Sequence, residues 1–181
     1  MIKTAHANHY LVHETLGDGS SVVIRAIRPE DKPILQEGMH HLNQQSLYFR
    51  FFTPKRELSK EELVHFTEVD FIHHVGLMAC LISKHGHEIP VGVGRYIMSE
   101  DSRQSATAEL AFAVSEEAQG RGVGTLLCKH LIKIARAEGL TTLTALVLEG
   151  NLKMMAVFAH SGVAMKQTRQ GGGVIDVTLS L

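Results

Sequence analysis

The sequence predicts an α/β (α+β) fold in which helices cover a mixed β-sheet. Residues 107–148 have the pattern of a strand, a glycine-rich turn, a helix and a second strand, which is typical of a strand–helix–strand crossover. Turn signals at 17–19, 84–88 and 171–173 each separate two extended runs, as in antiparallel hairpins. One crossover together with several hairpins predicts a sheet with both parallel and antiparallel pairs.

Local signals bound each predicted element. In chain order we predict strands over 10–15 and 21–28, helices over 33–41, 44–51 and 60–66, strands over 75–83, 89–98 and 107–114, a helix ending at Glu138, a strand over 141–148, a helix over 151–160, and strands over 163–168 and 174–179. Residues 1–9 are polar and are predicted to be loose. No repeat or linker divides the chain, so we expect a single domain over residues 1–181.

The first half of the chain contains four local signals that begin or end a predicted element. Gly17-Asp18-Gly19 predicts the first hairpin turn. Pro29-Glu30-Asp31 ends a strand and supplies acids suited to the first turn of a helix. Thr53-Pro54 breaks the second helix, and Ser59 with Glu62 has the spacing of a capping box that opens the third.

The second half is bounded mainly by glycine. After Gly122, apolar residues recur at helical spacing as far as Glu138, and Gly139 is the predicted C-cap. Residues 141–148 alternate as a strand. Gly162 ends the last predicted helix, and the glycines at 171–173 join the closing hairpin.

Composition excludes several classes of protein. The 181 residues suffice for one substantial core, and 44% hydrophobic with 20% charged residues is typical of a globular protein. A net charge of −1 gives no electrostatic reason to expect nucleic-acid binding. We find no membrane-spanning run or signal-peptide core, and Cys80 and Cys128 lie in apolar patterns. We therefore expect no membrane partner, and reduced core cysteines in a cytoplasmic protein.

The glycine-rich turn carries the main functional signal. Gly120, Gly122 and Gly124 remove side chains, so several backbone N–H groups can converge on one anion at the positive end of a helix dipole. Their spacing is G-x-G-x-G rather than the G-x-G-x-x-G of dinucleotide-binding folds. A P-loop requires a lysine after its last glycine, and no lysine follows Gly124. An ordinary flexible turn remains the alternative.

The segment Gln119-Gly120-Arg121-Gly122-Val123-Gly124 resembles the acetyl-coenzyme A loop, Q/R-x-x-G-x-G/A, of the GNAT superfamily of N-acetyltransferases. The order of elements is similar to a GNAT domain from about residue 21 to 179. The resemblance implies a mostly antiparallel central sheet whose strands splay at the acetyl-CoA site. Residues 27–31, 46–52 and 62–70 are further similar to bacterial protein lysine acetyltransferases of the Pat type.

The resemblance implies acetyl-CoA as co-substrate and assigns residues to its binding. They are Phe112, Ala113, Val114, Gln119, Gly120, Arg121, Gly122, Val123, Gly124, Thr125 and Asn151. In GNAT enzymes the strand separates from its neighbour near the position of Val114, where free backbone groups pair with the pantetheine arm. Simpler roles stay open for two of them: Asn151 as a helix N-cap and Arg121 as a solvated loop residue.

Acetyl transfer to an amine requires a base, because a lysine amine with a pKa of about 10.4 is protonated at neutral pH. Glu109 interrupts an apolar strand, where it is either half-buried with a raised pKa or at an edge in water. Its position matches the general base of Pat-type enzymes. Many GNAT enzymes place a proton-donating tyrosine where this chain has Phe158, and His160 and Ser161 are weak substitutes.

The acceptor is the least determined part of the prediction. The Pat-like segments favour a protein lysine; the alternatives are a small-molecule amine or a non-catalytic acyl-CoA sensor. The aromatic cluster at 48–52 either lines an acceptor groove or belongs to the core. The acids Glu61-Glu62, Glu68 and Asp70 either attract a lysine or form a solvated face.

Two further questions concern metals and assembly. The histidines of His73-His74 and His85-Gly86-His87 lack the spacing of known metal-binding motifs, so no metal is expected. A homodimer is left open.

Overall fold

The computed structural model describes residues 7–99, 101 and 105–181. Its strands are β1 (Leu11–Thr15), β2 (Ser21–Ala26), β3 (His74–Ile82), β4 (Glu88–Ile97), β5 (Thr107–Val114), β6 (Thr142–Leu148), β7 (Ala164–Gln170) and β8 (Val174–Ser180). Its α-helices within these ranges are α1 (Lys32–Gly38), α2 (Gln44–Phe51), α3 (Lys60–Thr67), α4 (Val123–Ala137) and α5 (Leu152–Ala159). None of these helices is long and apolar enough to cross a membrane.

The described strands form one sheet in the order β1-β2-β3-β4-β5-β6-β8-β7. Every neighbouring pair is antiparallel except β5 and β6, which run parallel. The parallel pair is the predicted crossover, with α4 as its connecting helix. The predicted mixed, mostly antiparallel sheet is therefore confirmed.

Alternate residues of the central strands face opposite layers of helices. On β3, Leu77 and Ala79 belong to the main core, whereas Met78 and Cys80 belong to a second, smaller core. The helices α4 and α5 supply part of the main core: Val123, Leu127, Leu131, Ile134 and Phe158. The smaller core is completed from α1 and α3 by Leu35, Leu63 and Phe66. The central strands are thus covered on both faces.

A buried ion pair joins β2 to the start of α1. The two carboxylate oxygens of Asp31 accept hydrogen bonds from the Arg25 guanidinium at 2.8 Å each, and both side chains are 5% exposed. The same carboxylate accepts the backbone N–H of Arg28 at 2.8 Å. The hydrogen bond to Asp31 raises the pKa of Arg25 above its ordinary value. Asp31, expected as a first-turn acid, therefore also fixes the angle between strand and helix.

Two caps agree with local sequence chemistry. Ser59 and Glu62 form the predicted capping box: the Glu62 N–H donates to Ser59 Oγ at 3.1 Å, and the Ser59 N–H donates to Glu62 Oε2 at 2.8 Å. Asn43 caps α2, since its Oδ1 accepts the Ser46 N–H at 2.8 Å. Both contacts involve residues three apart, which is why local patterns identify such positions.

Some boundaries differ from the prediction. The helix predicted over 33–41 is α1 followed by a 3₁₀ turn at Met39–His41. The helix α2 has its predicted bounds, but Phe52, in the left-handed conformation with φ of 58°, ends it ahead of the predicted proline break. Glu138 rather than Gly139 is the C-cap of α4, and Gly139 follows it with φ of 83°. Glycine supplies the left-handed residue just beyond the cap.

The predicted loose segment divides into two parts. Residues 1–6 lie outside the described residues. Ala7–His9 form a 3₁₀ turn, and Ala7 is buried against the main core. The expectation of a loose segment therefore does not hold for these last three residues.

Candidate active site

The site lies where β5 and β6 separate. These strands pair at Thr107–Thr142, Ala108–Leu143 and Glu109–Thr144, and no pair follows although both strands continue. The ends of β5 and β6, which no longer pair with each other, line a cavity of about 550 Å³, hereafter the first cavity. The glycine loop, α2 and α5 complete it. The splay implied by the GNAT resemblance is therefore present.

The glycine loop places the start of α4 at this cavity. Gly120 and Gly122 have φ of 75° and 91°, so their backbone conformation itself requires glycine. The first helical bond runs from the Leu126 N–H to the Gly122 carbonyl at 2.9 Å. Before it, the N–H groups of residues 123–125 have no hydrogen-bond partner within the described part of the chain. Free amides at a helix N-terminus form a site suited to an anion.

Gly124 has a different role from the other two glycines. It is helical, and a Cβ at this position would lie 3.0 Å from Val157 Cγ2 of α5. The missing side chain therefore allows α4 and α5 to approach each other. The sequence motif alone does not distinguish this packing role from a ligand-binding role.

A hydrogen-bond network connects residues from several elements that line the first cavity. Gln119 Nε2 donates to the Val114 carbonyl at 3.0 Å and to Ser46 Oγ at 3.3 Å. Lys153 Nζ donates to Gln119 Oε1 at 2.6 Å, and Ser46 Oγ donates to Glu116 Oε1 at 2.6 Å. The network links α2, the loop and α5. Sequence reasoning missed Glu116 and Lys153, because contacts across 34 to 73 residues leave no local signal.

Glu109 lies at the point where β5 and β6 separate, in the last residue pair of these strands, and it lines the first cavity. It is exposed to water rather than half-buried, but it is not at a strand edge, because it pairs with Ile97 of β4 and Thr144 of β6. Arg50 of α2 lines the same cavity. Burial lowers the pKa of Arg50, and the nearby negative charge of Glu109 opposes that shift. The carboxylate of Glu109 and the guanidinium of Arg50 therefore lie near each other on the wall of the first cavity.

Most of the residues predicted to bind the co-substrate meet at the first cavity. Its lining includes Phe112, Ala113, Val114, Gln119, Gly120, Gly122, Val123, Gly124, Thr125 and Asn151. Arg121 is not in the lining. Its guanidinium donates instead to Asp18 Oδ2 and to Ser20 Oγ, each at 2.8 Å, next to the β1–β2 turn. The structure thus brings together ten of the predicted residues and leaves the Arg121 side chain outside.

The helix α5 supplies one wall of the cavity. Asn151 Oδ1 accepts the Met154 N–H at 3.1 Å, so the residue is the N-cap and also faces the cavity. Phe158 is buried, with its ring edge-on to Phe112 at a centroid distance of 6.0 Å. His160 also lines the cavity, with its Nδ1 held 2.7 Å from the Ala156 carbonyl. Position 158 therefore offers no proton donor.

The aromatic cluster at 48–52 follows the buried Leu47 but contains no fully buried residue itself. Phe49, Arg50 and Phe52 line the first cavity, whereas Leu47 is buried and Tyr48 is exposed away from it. Three residues of this segment therefore line the first cavity.

The acids that were candidates for attracting lysine are engaged elsewhere. Glu62 binds Lys55 at 2.7 Å, and Glu68 binds Lys32 at 2.6 Å. Asp70 Oδ2 lies 2.9 Å from Nδ1 of His73. These acids belong to the fold rather than to the first cavity. Within the described ranges, no group of three or more His, Cys, Asp or Glu residues is arranged to hold a metal ion.

The sequence pattern of the acetyltransferase (GNAT) family matches residues 38–163. The chain belongs to this family. GNAT proteins are acetyltransferases that acylate amines with acetyl-CoA as co-substrate, which is the assignment implied by the loop and the splayed strands. The match includes α2, the loop and α5, so every wall of the first cavity lies inside it.

Two solved structures illustrate the similarity. The GNAT domain of S. lividans PAT superposes with a TM-score of 0.83 at 31% identity, covering 94% of this chain and 97% of that one. The yncA protein of Salmonella typhimurium, solved with its cofactor acetyl-CoA, has a TM-score of 0.66 at 18% identity, covering 88% of this chain and 92% of that one. The second match shows the fold alone.

Two curated relatives are longer than this chain. An acetyltransferase of Pseudomonas aeruginosa is 30% identical over 126 residues, which cover 70% of this chain and 66% of that protein. The acetyltransferase Pat of Mycolicibacterium smegmatis is 25% identical over 157 residues, 87% of this chain and 45% of that protein. The chain thus spans between about half and two thirds of the length of these relatives.

Proposed function

We propose that this GNAT chain transfers the acetyl group of acetyl-CoA directly to a protein lysine, within a ternary complex. The observation that supports this most strongly is the position of Glu109. It lies at the last paired residues of β5 and β6, on the wall of a cavity that also receives the free amides of α4. A base and an anion site at one cleft are what the reaction requires.

The chain offers a site that fits acetyl-CoA. A Cβ at Gly120 or Gly122 would meet no atom within 4 Å, so the space above the loop is open for a pyrophosphate. The side of β5 that no longer pairs with β6 and the side chain of Asn151 line the adjoining space, where the pantetheine arm would lie. Acetyl-CoA supplies an acetyl group activated as a thioester.

Glu109 is the proposed general base. It takes a proton from the lysine ammonium, directly or through one water, so that the neutral amine can attack the carbonyl carbon. The new C–N bond forms as the C–S bond breaks, and a backbone N–H near Val114 polarises the carbonyl oxygen. Because Phe158 cannot donate a proton, the leaving thiolate takes its proton from water.

The likeness to Pat proteins supports a protein acceptor. The Pat-like segment 46–52 contributes Phe49, Arg50 and Phe52 to the first cavity, beside Glu109. The GNAT domain of S. lividans PAT covers 94% of the chain at 31% identity. We propose that these α2 residues form the wall against which the acceptor lysine enters.

Two further properties are part of this proposal. One sheet contains all the described strands, which supports a single acetyltransferase domain. Cys80 and Cys128 are both buried and free, as we expect of a protein in the reducing cytoplasm.

A thiol-release assay with acetyl-CoA tests the function. We expect turnover with lysine-containing proteins or peptides, and acetyl-lysine in the product by mass spectrometry. Polyamines, amino acids and aminoglycosides serve as the comparison panel. Turnover confined to those small amines would replace the proposed acceptor. Binding of acetyl-CoA without turnover on any amine would indicate a sensor instead of an enzyme.

A further inference from the structure

A second cavity of about 460 Å³ lies on the opposite face of β4 from α4. We define it by its walls: α1 and the turn after it, the end of α2, Phe66 of α3 and residues 89–95 of β4. Its lining is mostly apolar and includes Ile34, Met39, Phe51, Met78 and Val93. Arg50 lines both cavities, and the proposed function uses none of the other residues named here.

A buried cation lies at one end of the second cavity. Arg95 is 3% exposed, yet it belongs to the lining. Its Nη1 donates to the Phe66 carbonyl at 3.2 Å and lies 3.1 Å from Nε2 of His74. Its Nε and Nη2 have no acceptor among the residues that the structure describes. No described carboxylate lies within 4.0 Å of this guanidinium.

A second guanidinium reinforces the positive charge. Arg50 also lines the cavity and forms no ion pair with a described carboxylate. The Cζ atoms of Arg50 and Arg95 lie 5.9 Å and 4.4 Å from the centre of the Phe66 ring. Arg50 Cζ also lies 4.9 Å from the centre of the Phe51 ring. These ring contacts compensate only in part for the removal of two charges from water. Glu37 and Glu117 also line the cavity, but both are exposed, and neither is within 4.0 Å of a described guanidinium. The end that holds Arg95 and Arg50 therefore favours an anion.

The charge of Glu109 acts on Arg50 from the first cavity, whereas His74 contributes no charge beside Arg95. Burial, with the charges of Arg95 and His65, lowers the pKa of His74 to about 3, so that its ring is neutral at pH 7. Burial and the charge of Arg50 lower the pKa of Arg95 to about 9, which still leaves it charged at pH 7.

The other end of the cavity supplies a second unpaired polar group. Ser115 lines it, and the Ser115 hydroxyl is buried with no hydrogen-bond partner in the described part of the structure. Between the two ends, residues 91–95 of β4 span about 13 Å at the spacing of a strand. The space therefore suits an elongated ligand with an anion at one end and an apolar body.

We propose that the second cavity binds a small monocarboxylate with an apolar chain, whose carboxylate pairs with Arg95 and Arg50. The chain lies along β4 beneath α1. A carboxylate fits the two guanidinium groups because it accepts their N–H donors in pairs. The apolar lining selects against small polar anions. This binding does not depend on acetyl transfer, and it is measured without acetyl-CoA.

Calorimetric titration with octanoate, octanol and octylamine tests the proposal. We expect octanoate to bind at least about tenfold more tightly than octanol, because its charge-assisted hydrogen bonds are absent from the alcohol. Octylamine should bind more weakly still. Equal affinities for octanoate and octanol, or no binding of octanoate, would overturn the proposal.

Two variants locate the site. Arg95→Met should abolish the preference for octanoate over octanol, whereas Arg169→Met removes the same charge from an exposed position on β7 and should preserve it. Val93→Phe fills the apolar part of the second cavity and should weaken the binding of octanoate and octanol alike. This variant tests the location of the ligand even if Arg95→Met fails to fold. Octanoate binding that survives Val93→Phe unchanged would place the ligand elsewhere.

Discussion

Glu109 of β5 is paired with Thr144 of β6, and this is the last residue pair before the two strands separate. From Glu109 the open edge of β5 runs five residues to Val114, about 17 Å at strand spacing. The carboxylate and the glycine loop therefore lie at opposite ends of a segment of β5 that pairs with β4 but not with β6. This relationship explains how one cleft can hold both a long co-substrate and a base for the acceptor amine.

Gly94 sets the position of Phe112 on the cavity wall. A Cβ at Gly94 would lie 2.9 Å from two atoms of the Phe112 ring and 3.2 Å from Leu131 Cδ1. The ring cannot move freely because Phe158 packs against it. We expect Gly94→Ala to lower the free energy of unfolding by about 1–3 kcal/mol, measured by urea denaturation.

The control for Gly94→Ala is Gly38→Ala in α1. Gly38 has ordinary helical angles, and a Cβ there would meet no atom within 4 Å. Because alanine favours helices, this substitution should be neutral or stabilising. Equal stability of Gly94→Ala and the wild type would show that the Phe112 ring has room to yield.

His74 should make the fold sensitive to acid. Burial, together with Arg95 and His65, lowers its pKa from 6.5 to about 3 in the folded protein. Between these values the unfolded chain binds a proton that the folded chain does not, so stability falls as the pH falls. In this window His74→Gln should reduce the slope of unfolding free energy against pH by up to about 1.4 kcal/mol per pH unit.

The matched control for His74 is His85→Gln. His85 is exposed in the turn between β3 and β4, and its replacement should leave the slope unchanged. Urea denaturation at several pH values from 3 to 7 measures all three proteins. An identical slope in His74→Gln and the wild type would mean that His74 is protonated in the folded state.

Arg121 should contribute little to the binding of acetyl-CoA through its side chain. Its guanidinium is held by Asp18 and Ser20, away from the first cavity. The contact to Ser20 and, less strongly, that to Arg121 lower the pKa of Asp18 to about 2. We expect the dissociation constant of acetyl-CoA to change by less than about fivefold in Arg121→Met, since exposed ion pairs contribute about 1 kcal/mol or less.

Titration calorimetry of Arg121→Met and Asp18→Asn provides the comparison. Both variants break the same contact, and only the first removes a positive charge from the loop. A loss of affinity of about tenfold or more confined to Arg121→Met would assign its side chain to a phosphate, as the sequence motif predicts.

Features encoded by neighbouring residues could be predicted from the sequence. The capping box of Ser59 and Glu62 and the left-handed glycines of the loop depend on contacts within a few residues. The crossover depends on the order of apolar patterns. These signals were sufficient for the mixed sheet, the helices and the glycine turn that opens α4.

Features created by distant residues could not be predicted. Alternation places Glu109 on the opposite face of β5 from Leu110 and Phe112, but whether that face meets water depends on the packing of α2. Arg95 has the pattern of an ordinary strand residue, and its unpaired charge becomes visible only beside Phe66 and His74. The bond from Gln119 to Ser46 likewise joins residues 73 apart.

The most direct test of the proposed mechanism is the steady-state rate of Glu109→Gln at saturating acetyl-CoA with a lysine acceptor. Glu57→Gln, an exposed carboxylate in the segment before α3, is the matched control and should behave as the wild type. If Glu109 is the general base, its variant keeps its affinity for acetyl-CoA and loses about 10²–10⁴ in kcat. A kcat within about threefold of the wild type, with acetyl-CoA binding intact, would contradict the role of Glu109.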